Sequence, residues 1–158
     1  MQTTKQIAKH FHDCYFGGNW TTVDLKKLME GLTVEQATTK VYDLNTIATI
    51  VYHLNYFVHE VSKVLEGSPL LAKDKYSFDH PPLNKQEDWE QFLEQVWKDG
   101  KHFAQLIEGL DDAILKQDFS DNKYGNYFRN LFGIIEHTHY HLGQITIVKK
   151  ILLQQSAH

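Results

Sequence analysis

The sequence has a single cysteine and three prolines among 158 residues. With Cys14 alone an internal disulfide is excluded, and a reducing cytoplasm is the expected compartment. The ordinary reading of such a residue is an inert, packed thiol, with a nucleophile as the alternative. The prolines, Pro69, Pro81 and Pro82, fall in one short region, so the chain on either side is free of this helix breaker. No run of 18 uncharged apolar residues offers a membrane span. The opening residues MQTTKQIAKHFHDC hold no apolar run suited to a signal peptide, so a secretory leader is not expected. The lysines form no block and the formal charge is −4, so nucleic-acid binding through a basic surface is not expected. Sustained period-two alternation, internal repeats and low-complexity tracts are all missing, which leaves no pattern for a sheet.

What is present is helical periodicity. A content of 42% hydrophobic and 23% charged residues suits a soluble globular chain, and the length suits one domain over residues 1–158. A first helix is predicted from a cap at Thr3 or Thr4 to about Phe16, with Ile7, His10, Phe11, Cys14 and Tyr15 on one face. Gly17, Gly18 and Asn19 stop it, and Trp20 is expected to anchor the connecting segment. Two short turns follow, one within VDLKKLMEG and one capped by Thr33 with Gln36 at the capping-box position. A second long helix is predicted from a cap at Asn45 to about Glu66, with Ile50, Leu54, Phe57, Val61 and Leu65 inward. Residues 67–86 then form a long loop, a length that points to function or mobility. The third long helix is predicted from about Lys85 to Ile114, and Gly100 on its buried stripe allows a neighbour to come close. The fourth, capped by Asp121 or Asn122, runs to about Gln154. The fold class is therefore all-α, a four-helix bundle with a long connecting loop between its second and third helices.

The chemistry concentrates in the fourth helix, in LFGIIEHTHYHLGQI. At about 100° per residue His141 stands about 40° from His137, and Gln144 returns to the same stripe. His139 points about 200° away, toward a surface or an interface. Imidazoles on a core-facing stripe cost free energy unless satisfied, either by core hydrogen bonds or by a metal ion. Ten histidines make one H-x-x-x-H pair by chance unremarkable, so the core placement is the informative part. A third ligand has to come from a facing helix, and His53 is the inward-leaning histidine of the second. Three imidazoles leave a coordination position open and suit zinc, nickel, iron or copper. Affinity should then fall below about pH 6.5, where free imidazole protonates. The carboxylate-rich di-iron pattern is not met. His10 and His12 are possible neighbours of the site, His80 is an ordinary loop residue, and Glu60 is a candidate general base. Gln144 reads as a hydrogen-bonding partner, and Gly143 as a place for a close helix crossing.

Taken together, NWTTVDLKKLMEGLTVEQA, the histidine within TIVYHLNYF, EDWEQFLEQV and LFGIIEHTHYHLGQI resemble the DinB-like superfamily of metal-binding four-helix bundles. The fourth segment carries the most specific element, H-x-x-x-H-x-G-Q, as His137, His141, Gly143 and Gln144. The resemblance covers most of the chain. It implies a divalent metal held by His53, His137 and His141, and a homodimer; zinc or nickel is the expected ion, with iron or manganese as alternatives. It also implies relatives among thiol-dependent transferases and isomerases that use low-molecular-weight thiols such as bacillithiol or mycothiol.

Two functions are open at this point. One is a metal-dependent transferase or hydrolase acting on a small molecule, with a thiol or water activated at the ion. The other is a non-enzymatic interaction or stress-response module whose histidine site is structural or vestigial.

Overall fold

The computed structural model describes residues 2–155, and the regular structure of those residues is helical, with one isolated bridge between Asp118 and Asn126. Six α-helices are formed among them: α1 (Thr3–Phe16), α2 (Leu25–Met29), α3 (Val34–Thr38), α4 (Ile47–Leu65), α5 (Gln86–Glu108) and α6 (Tyr127–Gln155). Single 3-10 turns occupy 74–76, 112–116 and 122–124. The four long helices make a closed set of contacts, α1 and α4 each packing against both α5 and α6. Phe11, Tyr15, Leu54, Trp89, Phe103, Leu131 and Ile145 are among the fully buried side chains between them.

Helix ends depart from the sequence expectation where distant groups intervene. Neither Thr3 nor Thr4 caps α1; both are its first residues. Their backbone N–H groups donate to the Asp112 carboxylate at 2.8 and 2.9 Å, across more than one hundred residues of chain. These two bonds hold the Asp112 carboxyl down to about 2. Helix α4 is capped by Thr46, whose hydroxyl accepts from the Thr49 N–H, and not by Asn45. Helix α5 ends at Glu108 rather than Ile114, because Gly109 breaks it and the Asp111 carboxylate starts a separate 3-10 turn. Asp121 likewise caps only the 122–124 turn, after which Gly125, at φ +77°, lets the chain reverse into α6. The capping box of Thr33 and Gln36 is formed as expected.

Two glycines and one tryptophan mark how the helices pack. At Gly100 an added Cβ would sit 2.7 and 2.9 Å from ring carbons of Tyr15, so the absence of a side chain is what lets α1 lie against α5. At Gly143 nothing lies within 4 Å of that position and the residue is exposed, so no helix crosses there. Trp20 is 94% exposed and anchors nothing, since the linker is held instead by the buried Asn19 amide, which donates to the carbonyls of Asp13 and Val23. Lys149 of α6 donates its ammonium to the carbonyls of Leu28 and Glu30, closing the end of α2.

Candidate metal centre

His53 comes from the middle of α4, and His137 and His141 from successive turns of α6. Because α4 and α6 pack together, the three rings meet, with the His53 Nε2 and the His141 Nε2 each 3.0 Å from the Nε2 of His137. Among the described residues these are the histidine, cysteine and carboxylate groups gathered tightly enough to hold one ion, with ligand atoms within 4.8 Å of one another. His53 and His141 are buried and His137 is half-buried.

Proton positions decide how the rings interact. The Ser77 hydroxyl lies 2.7 Å from the Asp74 carbonyl oxygen, which can only accept, so its proton goes there. Ser77 Oγ therefore accepts from the His53 Nδ1–H at 2.8 Å. The Gln144 amide donates to the Tyr140 hydroxyl at 3.0 Å and turns its Oε1 to the His141 Nδ1, 2.6 Å away, which donates in turn. Both outer rings thus carry their proton on Nδ1 and aim a bare Nε2 lone pair at the Nε2 of His137. A proton on that central nitrogen could point at one neighbour, not both. One cation satisfies all three. Metal–nitrogen bonds of about 2.0–2.1 Å at angles of about 90–110° would put neighbouring ligand nitrogens roughly 2.8–3.4 Å apart. The two spacings of 3.0 Å to His137 fall in that range.

Burial and mutual repulsion keep the imidazoles neutral. His137 falls to about 4, chiefly through burial and then through His141 and His53, with Asp74 opposing. His53 is lowered by burial and His141, again against Asp74, and His141 is lowered by burial against its bond to Gln144. Neutral nitrogens with lone pairs exposed to one another are the form a divalent ion requires.

A family model described as the DinB superfamily matches residues 19–145. The chain belongs to the DinB superfamily. No curated protein and no solved structure gives a match. The matched span of this DinB-superfamily chain includes all three histidines together with Ser77 and Gln144.

The three histidines expected as ligands are the three brought together. Others behave differently. His10 and His12 are exposed and outside the cluster. His139 was expected at a surface or interface. It is half-buried against α1, its Nε2 3.1 Å from the Cys14 Sγ and its ring 6.1 Å from that of His10. Cys14 is buried and pushed up to about 12, an inert thiol. Glu60 pairs with Lys63 at 2.5 Å one turn along its own helix. His80 bonds the carbonyl of Pro81 in the loop, at 2.8 Å.

The sequence did not point to the loop of residues 67–86 as a supplier of the site. It delivers Ser77 to His53, Asp74 to the field around His53 and His137, and Phe78 to the face of His53, with ring centroids 4.3 Å apart. Phe57 of α4 meets both His53 and His137 edge-on. Tyr56 pins the loop, its hydroxyl accepting from the Lys73 N–H at 2.9 Å. The loop's length had been a signal of function, but no periodicity locates these side chains.

Proposed function

We propose that this protein is a metal-dependent enzyme in which His53, His137 and His141 hold a divalent ion, zinc or nickel, beside a small-molecule substrate. The observation that carries the reading is the convergence of three Nε2 atoms, two of them with the proton committed to the opposite ring nitrogen. A divalent ion bound there supplies Lewis acidity, lowering the pKa of a coordinated thiol or water. The protein's own groups do the remaining work. Ser77 and Gln144 fix the tautomers and ring orientations of His53 and His141. Phe57 and Phe78 shield the imidazoles from water on their flanks. The Asp74 carboxylate favours positive charge at His53 and His137. His137 also lines an open cavity of about 520 Å³, so a reactant has room to approach.

The thiol-transfer chemistry implied by the family resemblance fits this arrangement better than a purely structural ion, because three protein ligands leave a position for an exchangeable group. The closed contacts of α1, α4, α5 and α6 support reading the fold as a four-helix bundle. The homodimer belongs to the same proposal, supported by Phe128 and Phe132, which lie against each other and are both exposed. So does the cytoplasmic location, supported by the single buried Cys14.

Untagged protein, incubated with zinc or nickel and desalted, should retain close to one ion per chain. His137→Ala should abolish retention, while His59→Ala, at an exposed position of α4, should leave it unchanged. Activity against a panel of thiols and electrophiles should disappear on chelation and return with the ion. Failure to retain metal sinks the reading, and so does turnover that survives complete chelation.

A further inference from the structure

The cavity that reaches His137 runs along α6 toward its first turn, where it is lined by Arg129 and Asn130. Arg129 is the only arginine in the chain. One of its nitrogens donates to the Tyr124 carbonyl at 2.9 Å, and no carboxylate among the described residues lies within 4 Å of the guanidinium. Four further N–H donors remain on that planar group. The positive end of the 29-residue α6 dipole lies at the same turn. The middle of the cavity is apolar, with Phe57, Val61, Leu70, Phe119 and Ile134 as walls. Its floor includes Gly133, one turn before His137, where an added Cβ would meet nothing within 4 Å. Glycine weakens a helix interior relative to alanine, and here it leaves the space beside the histidine open. The acidic lining groups, Asp74 and Glu136, belong to the histidine end: Asp74 acts on His53 and His137, and Glu136 precedes His137 in sequence. The cavity is therefore polarised, with carboxylates and imidazoles at one end and a guanidinium at the other. Eight helical residues separate Arg129 from His137, about 12 Å along the axis.

We propose that this cavity is the substrate site and that it selects a small molecule with an apolar body and an anionic group, a carboxylate or its like, held by Arg129. The reacting end of the molecule then lies at His137, a placement that rests on the metal-dependent reading above. The anion-selecting end does not depend on the ion. Arg129 accounts for selectivity between anionic and neutral substrates, and Gly133 for the width of the channel between the two ends.

The test compares octanoate with 1-octanol, which share a chain of suitable length and differ in the head group. Binding to the zinc-treated protein is followed by NMR titration of the Arg129 Nε–H and Gly133 amide signals. Octanoate should bind at least tenfold more tightly than octanol and shift both signals. R129Q should bring the ratio close to one without changing octanol binding or metal content. G133L should weaken both ligands at least tenfold, and if that variant does not fold, R129Q decides alone. Equal affinity of the wild type for the two ligands overturns the proposal. An undiminished preference in R129Q does the same, since the carboxylate is then held elsewhere, for example at the ion. Repeating the titration after chelation separates the two readings. Preference without any metal retention leaves this site standing and removes the metal-dependent function; metal retention without preference does the reverse.

Discussion

Replacing Ser77 by alanine isolates what the loop does for the metal centre. Ser77 is fully buried and His53 is 6% exposed, so water has little room to replace the lost hydroxyl. The His53 Nδ1–H then loses its acceptor at 2.8 Å. An unpaired donor at a buried site costs about 1–3 kcal/mol. Loss of the group that orients a metal-binding histidine typically weakens affinity by about 10- to 100-fold, or about 1.4–2.7 kcal/mol. The two figures describe one bond from two sides, so Ser77→Ala should weaken zinc binding by roughly 10- to 100-fold. Competition titration against a chromophoric chelator at fixed pH reads this directly. Two companions remove the ambiguities. Tyr56→Phe releases another of the loop's tethers, at Lys73, without touching His53, and should keep wild-type affinity. Ser62→Ala removes a buried hydroxyl of α4 that bonds only the Val58 carbonyl, and should also keep it. An affinity within twofold of wild type in Ser77→Ala would refute the tautomer argument. An equal loss in Tyr56→Phe would show that loop attachment, not the bond to His53, is what matters.

The lowered histidine pKa values set a pH window. Between the ordinary value of about 6.5 and the value of about 4 at His137, the unfolded chain takes up protons that the folded site refuses. Stability of the metal-free protein should be full above that window and decline as pH falls through it, as followed by thermal melts. Because all three histidines are lowered, the fall in metal affinity expected below about pH 6.5 for free imidazole shifts to lower pH. Metal content after equilibrium dialysis should therefore persist below about pH 6.5, and complete loss by about pH 6 would contradict the buried cluster. Gly100→Ala gains helix propensity but drives a Cβ into the Tyr15 ring, and a net loss of about 1–2 kcal/mol is expected in denaturant melts. Gly143→Ala, which meets nothing, should instead stabilise by about 0.5–1 kcal/mol, and equal effects at the two positions would show that the α1–α5 contact is not as close as described.

Much of the helical framework was legible because it follows from local periodicity. Ile50, Leu54 and Val61 repeat at helical spacing and are buried in α4, and His137 and His141 share a face of α6 as rotation alone requires. The choice of His53 as partner was legible for the same reason, since a helix with one inward histidine offers one candidate. What escaped depends on contacts between residues far apart. Nothing near Thr3 announces Asp112, and nothing in the polar stretch around Ser77 shows that it folds under His53. Angle alone placed His139 opposite His137, toward a surface or an interface, without showing that α1 covers that side of the helix. Arg129 was open to a simple count, as the only arginine in the chain, but its meaning depends on the cavity beside it.

The bond from Asp112 to the first turn of α1 also orders events in time. Helix α1 leaves the ribosome before the other helices, but the carboxylate that takes up its leading N–H groups lies 109 residues beyond Thr3. At typical translation rates of about 5–20 residues per second, roughly 5–20 s pass before that segment is made. The long partners α5 and α6 come late as well and only the short α2 follows directly, so through most of synthesis α1 lacks both the Asp112 bonds and the long helices it packs against. A helix of 14 residues is marginal by itself in water. Its apolar face, Ile7, Phe11, Cys14 and Tyr15, therefore waits largely uncovered during that interval, which makes it a surface for a chaperone to shield.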